Sequence, residues 1–468
     1  MPLGTEPPDV DTAGLRLEET VKPPSDGAVG FVFRRRSVRQ AAAPLLTSAT
    51  LWVIVALFAA DAMPILEHGV RQYDFSLYYV WSYALRHGTD PYATDLGPLG
   101  QRLGLHTGIF RHANYPASFV LLFEPLTLLS PQKAYWAWGF LNMVLLLGSL
   151  ELLLGELRGA AWPWTPALWA LALLYLPITL NFYLAQTQVL LLFLLAAALR
   201  CSERRRDIAA GCLVGFAGLL KVFPLATLAV FVLGRRWRTV AASAVTVVAG
   251  LLLTAALAGL GPTLGFFHGL SSVVDRQRSE FESARLISLN GFITRLLLSK
   301  PSAATGFFAD RATQKLVVAA VSLVVVALST LATWNPRSAR ELSAGFALWV
   351  VTAILVSPTA WHHYEVLLLV PFALALGDWL HAGNNARAAA ALALASYVLT
   401  QATWFWSAFA SPHVGGWLAP VLNEGFFLSL LLGYAAAFLL VRSARPAALP
   451  ATPATAEPRL LLQETVAP

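Results

Sequence analysis

Long apolar segments recur along most of this chain, and they constrain its fold more than any other feature. Thirteen of them can be read between residues 42 and 441, separated by polar stretches of which two are long. Of the 468 residues, 57% are hydrophobic and only 13% are charged, whereas about a quarter of a soluble domain is charged. Because a straight span needs about 20 apolar residues, the pattern predicts an all-α polytopic membrane protein.

Clusters of arginine separate the apolar segments and predict the orientation of the chain. Cytoplasmic loops carry an excess of Lys and Arg, so an even number of crossings must join any two clusters. Five apolar segments lie between Arg39 and Arg204, hence one of them should not cross. The segment 116–130 is short and contains Glu124-Pro125, so we expect it to be re-entrant or interfacial. About twelve spans remain, in the plasma membrane, with both termini in the cytoplasm.

These assignments divide the chain into one membrane domain and two tails. Residues 1–40 and 443–468 lack apolar periodicity and are predicted to be disordered cytoplasmic tails. Residues 41–442 form the predicted membrane domain, with two long outer loops at about 63–115 and 261–312. The net charge of +7 does not indicate nucleic-acid binding, because the basic residues fall in short clusters between apolar segments, as membrane topology requires.

A single carboxylate, Asp74, follows the first apolar segment at a depth where charge is poorly solvated. Because such a charge is costly, it indicates a functional site by default. The residues from Phe75 to His87 are predicted to form an aromatic-rich helix in the interface plane, with Asp74 as its N-cap and Gly88 as its stop. Helix capping alone explains this aspartate equally well, so both roles remain open from the sequence.

Other polar residues stand at turns between apolar segments, namely Gln186 with Gln188, Lys221, and His362 with His363. By the parity of crossings, each turn falls on the outer side with the aspartate, which favours a single outer-face site. Local explanations exist for each: the lysine could snorkel to the interface, and the glutamines could satisfy backbone groups where helices break. The histidines could be interfacial, and as adjacent residues they point about 100° apart on a helix, so they predict no metal site.

Short motifs occur in a consistent order around these residues. They are Asp74 with Tyr78, Gly88-Thr89-Asp90-Pro91-Tyr92, Tyr115-Pro116-Ala117, Ala185-Gln186-Thr187-Gln188, Lys221-Val222-Phe223-Pro224, Ser288-Leu289-Asn290-Gly291, and Ser357-Pro358 with Trp361 and His363. In these motifs the chain resembles glycosyltransferase family 87 of the GT-C superfamily, whose members use polyprenyl-phosphate sugars. The family pattern has glycine and asparagine where this chain has Ala185 and Gln188, and a second proline where it has Ala117.

The resemblance implies a GT-C-like fold and an enzyme that moves a hexose, mannose foremost, or a pentose from a polyprenyl-phosphate donor to a lipid or glycan acceptor. It implies Asp74 as the general base that takes the acceptor proton. Because negative charge grows on the departing phosphate, fixed cations should face it. The candidates for this role are Lys221, His362, His363 and Arg285. The candidate substrate-binding residues are Tyr78, Asp90, Tyr115, Gln186, Gln188 and Asn290.

Two further expectations follow from this chemistry. The acceptor hydroxyl attacks the face opposite the leaving group, so transfer is expected to invert the anomeric centre. The leaving group is a monophosphate and not a nucleotide diphosphate, so transfer is expected to need no metal or other cofactor. A membrane transporter or lipid flippase without glycosyl transfer is the alternative, since such proteins also bury polar residues near broken helices. No inverted repeat is visible in the sequence, and the polar residues gather on one face and not at the midplane, which favours the enzyme.

Overall fold

The computed structural model describes most of the predicted membrane domain. Its described residues are 52–53, 56, 73–108, 111–155, 165–276, 285–298, 310–382, 386–409 and 424–445. The predicted N-terminal tail and almost all of the first apolar segment lie outside these ranges, as does the predicted C-terminal tail beyond Arg445. The last helix ends at Ala444, two residues past the predicted end of the membrane domain.

Helices make up most of the described residues, and we number the α-helices in chain order. They are α1 Tyr73–Arg86, α2 Gly97–Arg102, α3 Ala117–Phe123, α4 Pro131–Leu154, α5 Thr165–Leu173, α6 Leu176–Leu184, α7 Gln188–Glu203, α8 Asp207–Leu220, α9 Leu228–Leu233, α10 Trp237–Ala258, α11 Leu260–Arg276, α12 Leu289–Leu298, α13 Arg311–Ala332, α14 Ala339–Val356, α15 Leu369–Ala382, α16 Arg387–Phe409 and α17 Gly425–Ala444. Short 3-10 helices at Glu124–Leu128, Phe223–Thr227 and His362–Leu368 adjoin α3, α9 and α15. The described residues contain no β-strand, and the all-α prediction is therefore confirmed for them.

Six described helices are long and apolar enough to cross a membrane, or up to seven if the bent pair α5 and α6 counts as one span. This result indicates a membrane-embedded protein, but the predicted count of about twelve spans is not confirmed. Several segments expected to cross form shorter helices. Helix α8 has 14 residues, which corresponds to about 21 Å of helix against a hydrocarbon core of about 30 Å. The GT-C-like arrangement of the helices remains a prediction.

The segment 116–130, predicted not to cross, folds as α3 followed directly by a 3-10 helix. The apolar helical stretch Ala117–Leu128 is short, because Pro116 precedes it and the sequence Glu124-Pro125 interrupts the α-helical hydrogen bonds. Its 12 residues reach about 18 Å, which is less than the membrane core. The stretch packs against α1, α8 and α10, and this contact places it inside the helical assembly.

Three polypeptide stretches connect the predicted polar turns with the arginine clusters. Helix α7 starts at Gln188 and is followed by Arg204, while α14 starts next to Arg340 and is followed by Ser357. The third stretch runs from His362 through α15. Because α14 has 18 residues, its ends are about 27 Å apart. The polar turns therefore lie at one end of these helices and the basic residues at the other.

Helix α8 lies unusually close to helix α10, and two glycines one turn apart permit the contact. A Cβ atom at Gly211 would come within 2.2 Å of the Thr239 carbonyl oxygen, and one at Gly215 within 2.7 Å of the Ser243 carbonyl oxygen. The spacing of four residues puts both glycines on one helix face, as in the small-residue contacts that bring membrane helices together. This packing matters for the site described below, because Lys221 ends helix α8.

The close contact leads to a stability prediction. Gly215→Leu should separate α8 from α10 and lower both the thermal midpoint and the yield of monodisperse protein, with an overpacking cost of about 1–3 kcal/mol or more. Cys212→Leu is the control, because Cys212 lies between the two glycines in sequence but its side chain is exposed. Size-exclusion chromatography and thermal unfolding in detergent measure both variants. Equal behaviour of the two would contradict a role for the glycine contact.

Candidate functional site

Helix α1 presents one face to a cavity. Its described part begins at Tyr73, so Asp74 is already helical, and the prediction that Asp74 caps a helix starting at Phe75 was wrong in register. The helix ends as predicted near Gly88, whose φ of +74° glycine adopts without strain. Asp74, Tyr78 and Trp81 line the cavity, because residues four and seven apart share a helix face. The rings of Phe75 and Tyr79 on α1 are buried in the protein core.

The cavity has a volume of about 700 Å³ and lies where helices α1, α8 and α14 meet the turns between the others. This size is in the usual range for a small-molecule site. Eight of the eleven predicted site residues line it, although they come from distant parts of the sequence. These eight are Asp74, Tyr78, Tyr115, Gln186, Lys221, Arg285, His362 and His363.

The Gln186 carboxamide joins the carboxylate to two tyrosines. Its Nε2 donates to Asp74 Oδ2 at 2.7 Å. Its Oε1 accepts hydrogen bonds from the hydroxyls of Tyr78 at 3.1 Å and Tyr115 at 3.2 Å, and these hydroxyls lie 2.8 Å apart. A glutamine has one acceptor oxygen and one donor group, and an ionised carboxylate can only accept, so Asp74 fixes which end of the amide faces it and the oxygen is left for the tyrosine hydroxyls. The network therefore holds the carboxylate in one orientation.

The turn between α6 and α7 aims Gln186 at the site. Ala185 adopts a left-handed conformation with φ of 52°, which explains why the family pattern has glycine at this position. The backbone amide of Gln186 donates to the backbone carbonyl of Asn181 at 2.9 Å. The indole of Trp138 on α4 donates to the backbone carbonyl of Ala185 at 2.9 Å. Asn181 also donates to the His363 carbonyl at 2.9 Å. The turn is thus tied to α4 and to the segment that contains His362 and His363, which we call the histidine segment.

Enclosure by the protein changes the acidity of Asp74. Burial raises the pKa of this carboxyl from 3.8 to about 6, and the hydrogen bond from Gln186 and the charge of Lys221 limit the rise. The side chain is half-buried and faces the cavity. A carboxylate with a raised pKa is a better proton acceptor near neutral pH than an ordinary aspartate. The geometry and the electrostatics both suit a general base.

Lys221 is a buried cation that terminates helix α8. Its ammonium donates to the Tyr364 hydroxyl at 3.0 Å and lies 4.4 Å from the centre of that ring and 4.7 Å from the centre of the Tyr115 ring. Burial lowers the pKa of Lys221, and the charge of Asp74 opposes this shift. Because burial of an ammonium is costly unless an anion compensates it, this lysine is suited to receive an anionic ligand in the cavity.

The histidine segment pairs with the segment that carries Arg285. The His362 amide donates to the Arg285 carbonyl at 2.8 Å, and the Ile287 amide donates to the Ala360 carbonyl at 2.8 Å. The Arg285 side chain is exposed and lines the cavity with His362 and His363. Across the parts of the chain that the structure describes, no three His, Cys, Asp or Glu side chains form a group that could hold a metal ion.

Three predicted site residues do not line the cavity. Asp90 accepts the backbone amide of Tyr92 at 2.8 Å, and Asn290 donates to the Pro358 carbonyl at 3.0 Å. Gln188 is fully buried at the start of α7. Asp90 holds the turn of Tyr92, whose hydroxyl donates to the backbone carbonyl of the cavity residue Tyr115 at 2.6 Å. Asn290 holds the turn of Pro358, which lines the cavity itself. A role of these three residues in substrate binding stays a prediction.

The structure adds cavity residues that the sequence analysis missed. Tyr364 contacts Lys221 and directly follows the two histidines, so its position beside a recognised motif was an available signal. Trp81 lies seven residues after Asp74, and helical spacing would have identified it. Asn114 precedes Tyr115 and also lines the cavity. All three are polar or amphipathic side chains. Tyr364 and Asn114 are adjacent in sequence to predicted residues, and Trp81 is three residues after Tyr78.

Comparison with known proteins agrees with the motif analysis. The sequence model of glycosyltransferase family 87 matches residues 114–358, just over half of the chain. The matched range contains Tyr115, Gln186, Lys221 and Arg285, while Asp74 and the two histidines lie outside it. A search of curated proteins found no match. The family match covers the greater part of the cavity wall, and the chain accordingly belongs to glycosyltransferase family 87.

Proposed function

We propose that this glycosyltransferase moves a hexose, mannose foremost, or a pentose from a polyprenyl-phosphate donor to a lipid or glycan acceptor. The observation that carries the proposal is the joint presence of the Asp74 carboxylate, held by Gln186, and the buried Lys221 ammonium in one cavity. The first can accept a proton and the second can neutralise a phosphate. A glycosyl phosphate donor requires both functions in the same reaction.

In the proposed reaction, an acceptor hydroxyl oxygen attacks the anomeric carbon of the donor sugar. A new bond forms between them while the bond from that carbon to the phosphate oxygen breaks, and the phosphate leaves with the electron pair. Asp74 takes the hydroxyl proton. Attack on the face opposite the leaving group inverts the anomeric centre. The network through Gln186, Tyr78 and Tyr115 supports this role because a fixed base needs little reorganisation in the transition state.

The departing phosphate monoester should lie near Lys221, with Arg285, His362 and His363 as further partners on the cavity wall. Charge develops on the phosphate oxygens as the sugar leaves, so cations placed there stabilise the transition state more than the ground state. Tyr364 positions the ammonium through its hydroxyl. A monophosphate leaving group needs less charge compensation than a diphosphate, which supports transfer without a metal or other cofactor.

An apolar part of the same cavity suits the polyprenyl chain. Its wall includes Val222, Ala226, Phe266, Ala353 and Val356, and Val222 is 48% exposed. Burial of apolar chain against such a wall is favourable by about 25 cal/mol per Å². The proposed donor has an apolar tail and an anionic head, and the cavity offers matching surfaces to both.

We place this cavity at the outer face of the plasma membrane, with both termini in the cytoplasm. The support is the opposite placement of the arginine clusters along α7, α14 and α15, together with the preference of Lys and Arg for the cytoplasmic side. Cysteine accessibility labelling of single-cysteine variants at Thr359 and Arg205 in intact cells tests the assignment. Labelling of position 205 from outside would refute it.

The proposed base leads to a first functional prediction. Asp74→Asn keeps an oxygen that can accept from Gln186 but cannot take a proton at neutral pH, so transfer should fall at least about 100-fold, the lower range for general bases. Asp95→Asn is the matched control, because Asp95 is exposed and pairs with Arg111 away from the cavity. Purified variants are assayed against a panel of polyprenyl-phosphate sugars with native membrane lipids as acceptors, in buffer with EDTA. A fully active Asp74→Asn enzyme would refute the role of the base.

The raised pKa leads to a second prediction. Asp74 must be ionised to act, so kcat/KM should fall as the pH drops through about 6. The Gln186 hydrogen bond lowers this pKa, hence Gln186→Leu should move the acidic limb of the pH profile upward in addition to any loss of rate. Gln188→Leu removes a nearby buried amide and should leave the midpoint in place. An unchanged or lowered midpoint in Gln186→Leu would contradict the proposed hydrogen bond.

The buried cation leads to a third prediction. Lys221→Met retains most of the side-chain volume and removes the charge, so kcat/KM for the polyprenyl-phosphate donor should fall about 100-fold, as for other fixed groups that stabilise developing charge. Lys133→Met is the control, because Lys133 is exposed and outside the cavity. Steady-state kinetics with varied donor and varied acceptor separate the two substrates. Unchanged donor kinetics in Lys221→Met would remove this lysine from the phosphate site.

A further inference from the structure

A second polar cavity lies at the other end of the helices that form the candidate site. It has a volume of about 610 Å³ and is lined by the end of α7, the start of α14 and the end of α15. Its charged and titratable wall residues are Arg200, Glu203, Arg204, Arg340, Asp378 and His381. None of them contributes to the first cavity. The proposed transfer reaction therefore leaves this cavity without a role.

An apolar groove of about 230 Å³ adjoins this second cavity between α4, α5, α15 and α16. The two spaces share Leu153 and Ala373 as wall residues. Leu171 and Leu394 at the groove are 50% and 62% exposed, so the groove opens on the apolar surface of the protein. An apolar groove that continues into a charged cavity has the shape required by a molecule with a hydrocarbon tail and a polar head.

The charges of the second cavity indicate an anionic head. Glu203 Oε2 forms an ion pair with Arg200 Nη1 at 2.5 Å, and Asp378 forms an ion pair with Arg340. The charges of both carboxylates are therefore already neutralised. Arg204 is exposed and has no ion-pair partner in the described part of the chain. The cavity thus contains one more arginine than it has carboxylates. Its wall is complementary to a phosphate diester of net negative charge.

We infer that this composite site binds an anionic phospholipid of the leaflet opposite the first cavity. The headgroup phosphate lies against Arg204 in the polar cavity, and one acyl chain occupies the apolar groove past Leu153 and Ala373. Basic cavities between membrane helices on the cytoplasmic side are suited to anionic headgroups. The apolar chain adds favourable burial in the groove. This inference concerns lipid binding and does not rest on the sugar-transfer reaction.

The test measures lipid retention by the intact protein in native mass spectrometry. Purified full-length protein in detergent is titrated with dioleoyl phosphatidylglycerol and, separately, with dioleoyl phosphatidylcholine. Wild-type protein should retain phosphatidylglycerol in preference. Arg204→Gln should weaken phosphatidylglycerol binding about fivefold, the effect of removing one basic residue near a lipid phosphate. Arg206→Gln removes an equal charge from an exposed residue outside the cavity and should bind like wild type.

A second pair of variants tests the groove. Ala390→Phe should fill the groove and reduce retention, whereas Ala391→Phe, on the neighbouring exposed position of α16, should not. Equal retention of the two phospholipids by wild-type protein would overturn the inference, as would equal losses in Arg204→Gln and Arg206→Gln. Unchanged retention in Ala390→Phe would also overturn it. The readout is lipid binding, so its failure leaves the proposed glycosyl transfer unaffected.

Discussion

The amide of Gln186 is the interaction on which the site depends. Its side chain bonds the carboxylate of Asp74 on one side and the hydroxyls of Tyr78 and Tyr115 on the other. The network thus joins three separated parts of the chain: helix α1, Tyr115 and Gln186 itself. Hydrogen bonds to a charged group in an enclosed site are stronger than those in water. Burial raises the pKa of the carboxyl, and the hydrogen bond from this amide, together with the charge of Lys221, stabilises the ionised form. The amide therefore offsets part of the cost of burying the aspartate.

The second constraint is the length of the helices that separate two chemically different ends. Helices α7 and α14 and the stretch through α15 carry the candidate cavity at one end and the charged cavity at the other. Neither end could be built from one helix alone, because each cavity takes side chains from several turns. Asp74 on α1 and Lys221 at the end of α8 complete the first cavity, whereas the arginines of the second cavity lie on or directly after α7 and α14. Packing of the shared helices in the middle holds both ends in register.

Which residues share one cavity could be predicted from the sequence better than the number of spans could. Asp74, Gln186 and Lys221 were recognisable because a charged or amide group in an apolar sequence needs a partner, and the structure brings them together. Asp90 and Asn290 were placed by motif, but motif residues that hold a turn look the same in sequence as residues that touch a ligand. Tyr364 was missed because an aromatic ring beside a membrane segment is ordinary. The span count was not confirmed, because a break such as the one at Lys221 produces two short helices, Asp207–Leu220 and Phe223–Leu233, that hydropathy alone reads as crossings.

The left-handed Ala185 has a consequence for how this enzyme can vary. An alanine in that conformation costs on the order of 1 kcal/mol, and the bond from Trp138 on helix α4 helps to hold the turn in place. Trp138 is 4% exposed and contributes no atom to the cavity wall. The direction in which the Gln186 side chain points is therefore partly a property of α4. Substitutions along that helix can change the reaction rate without approaching the substrate, and a search for activity determinants by proximity alone would overlook them.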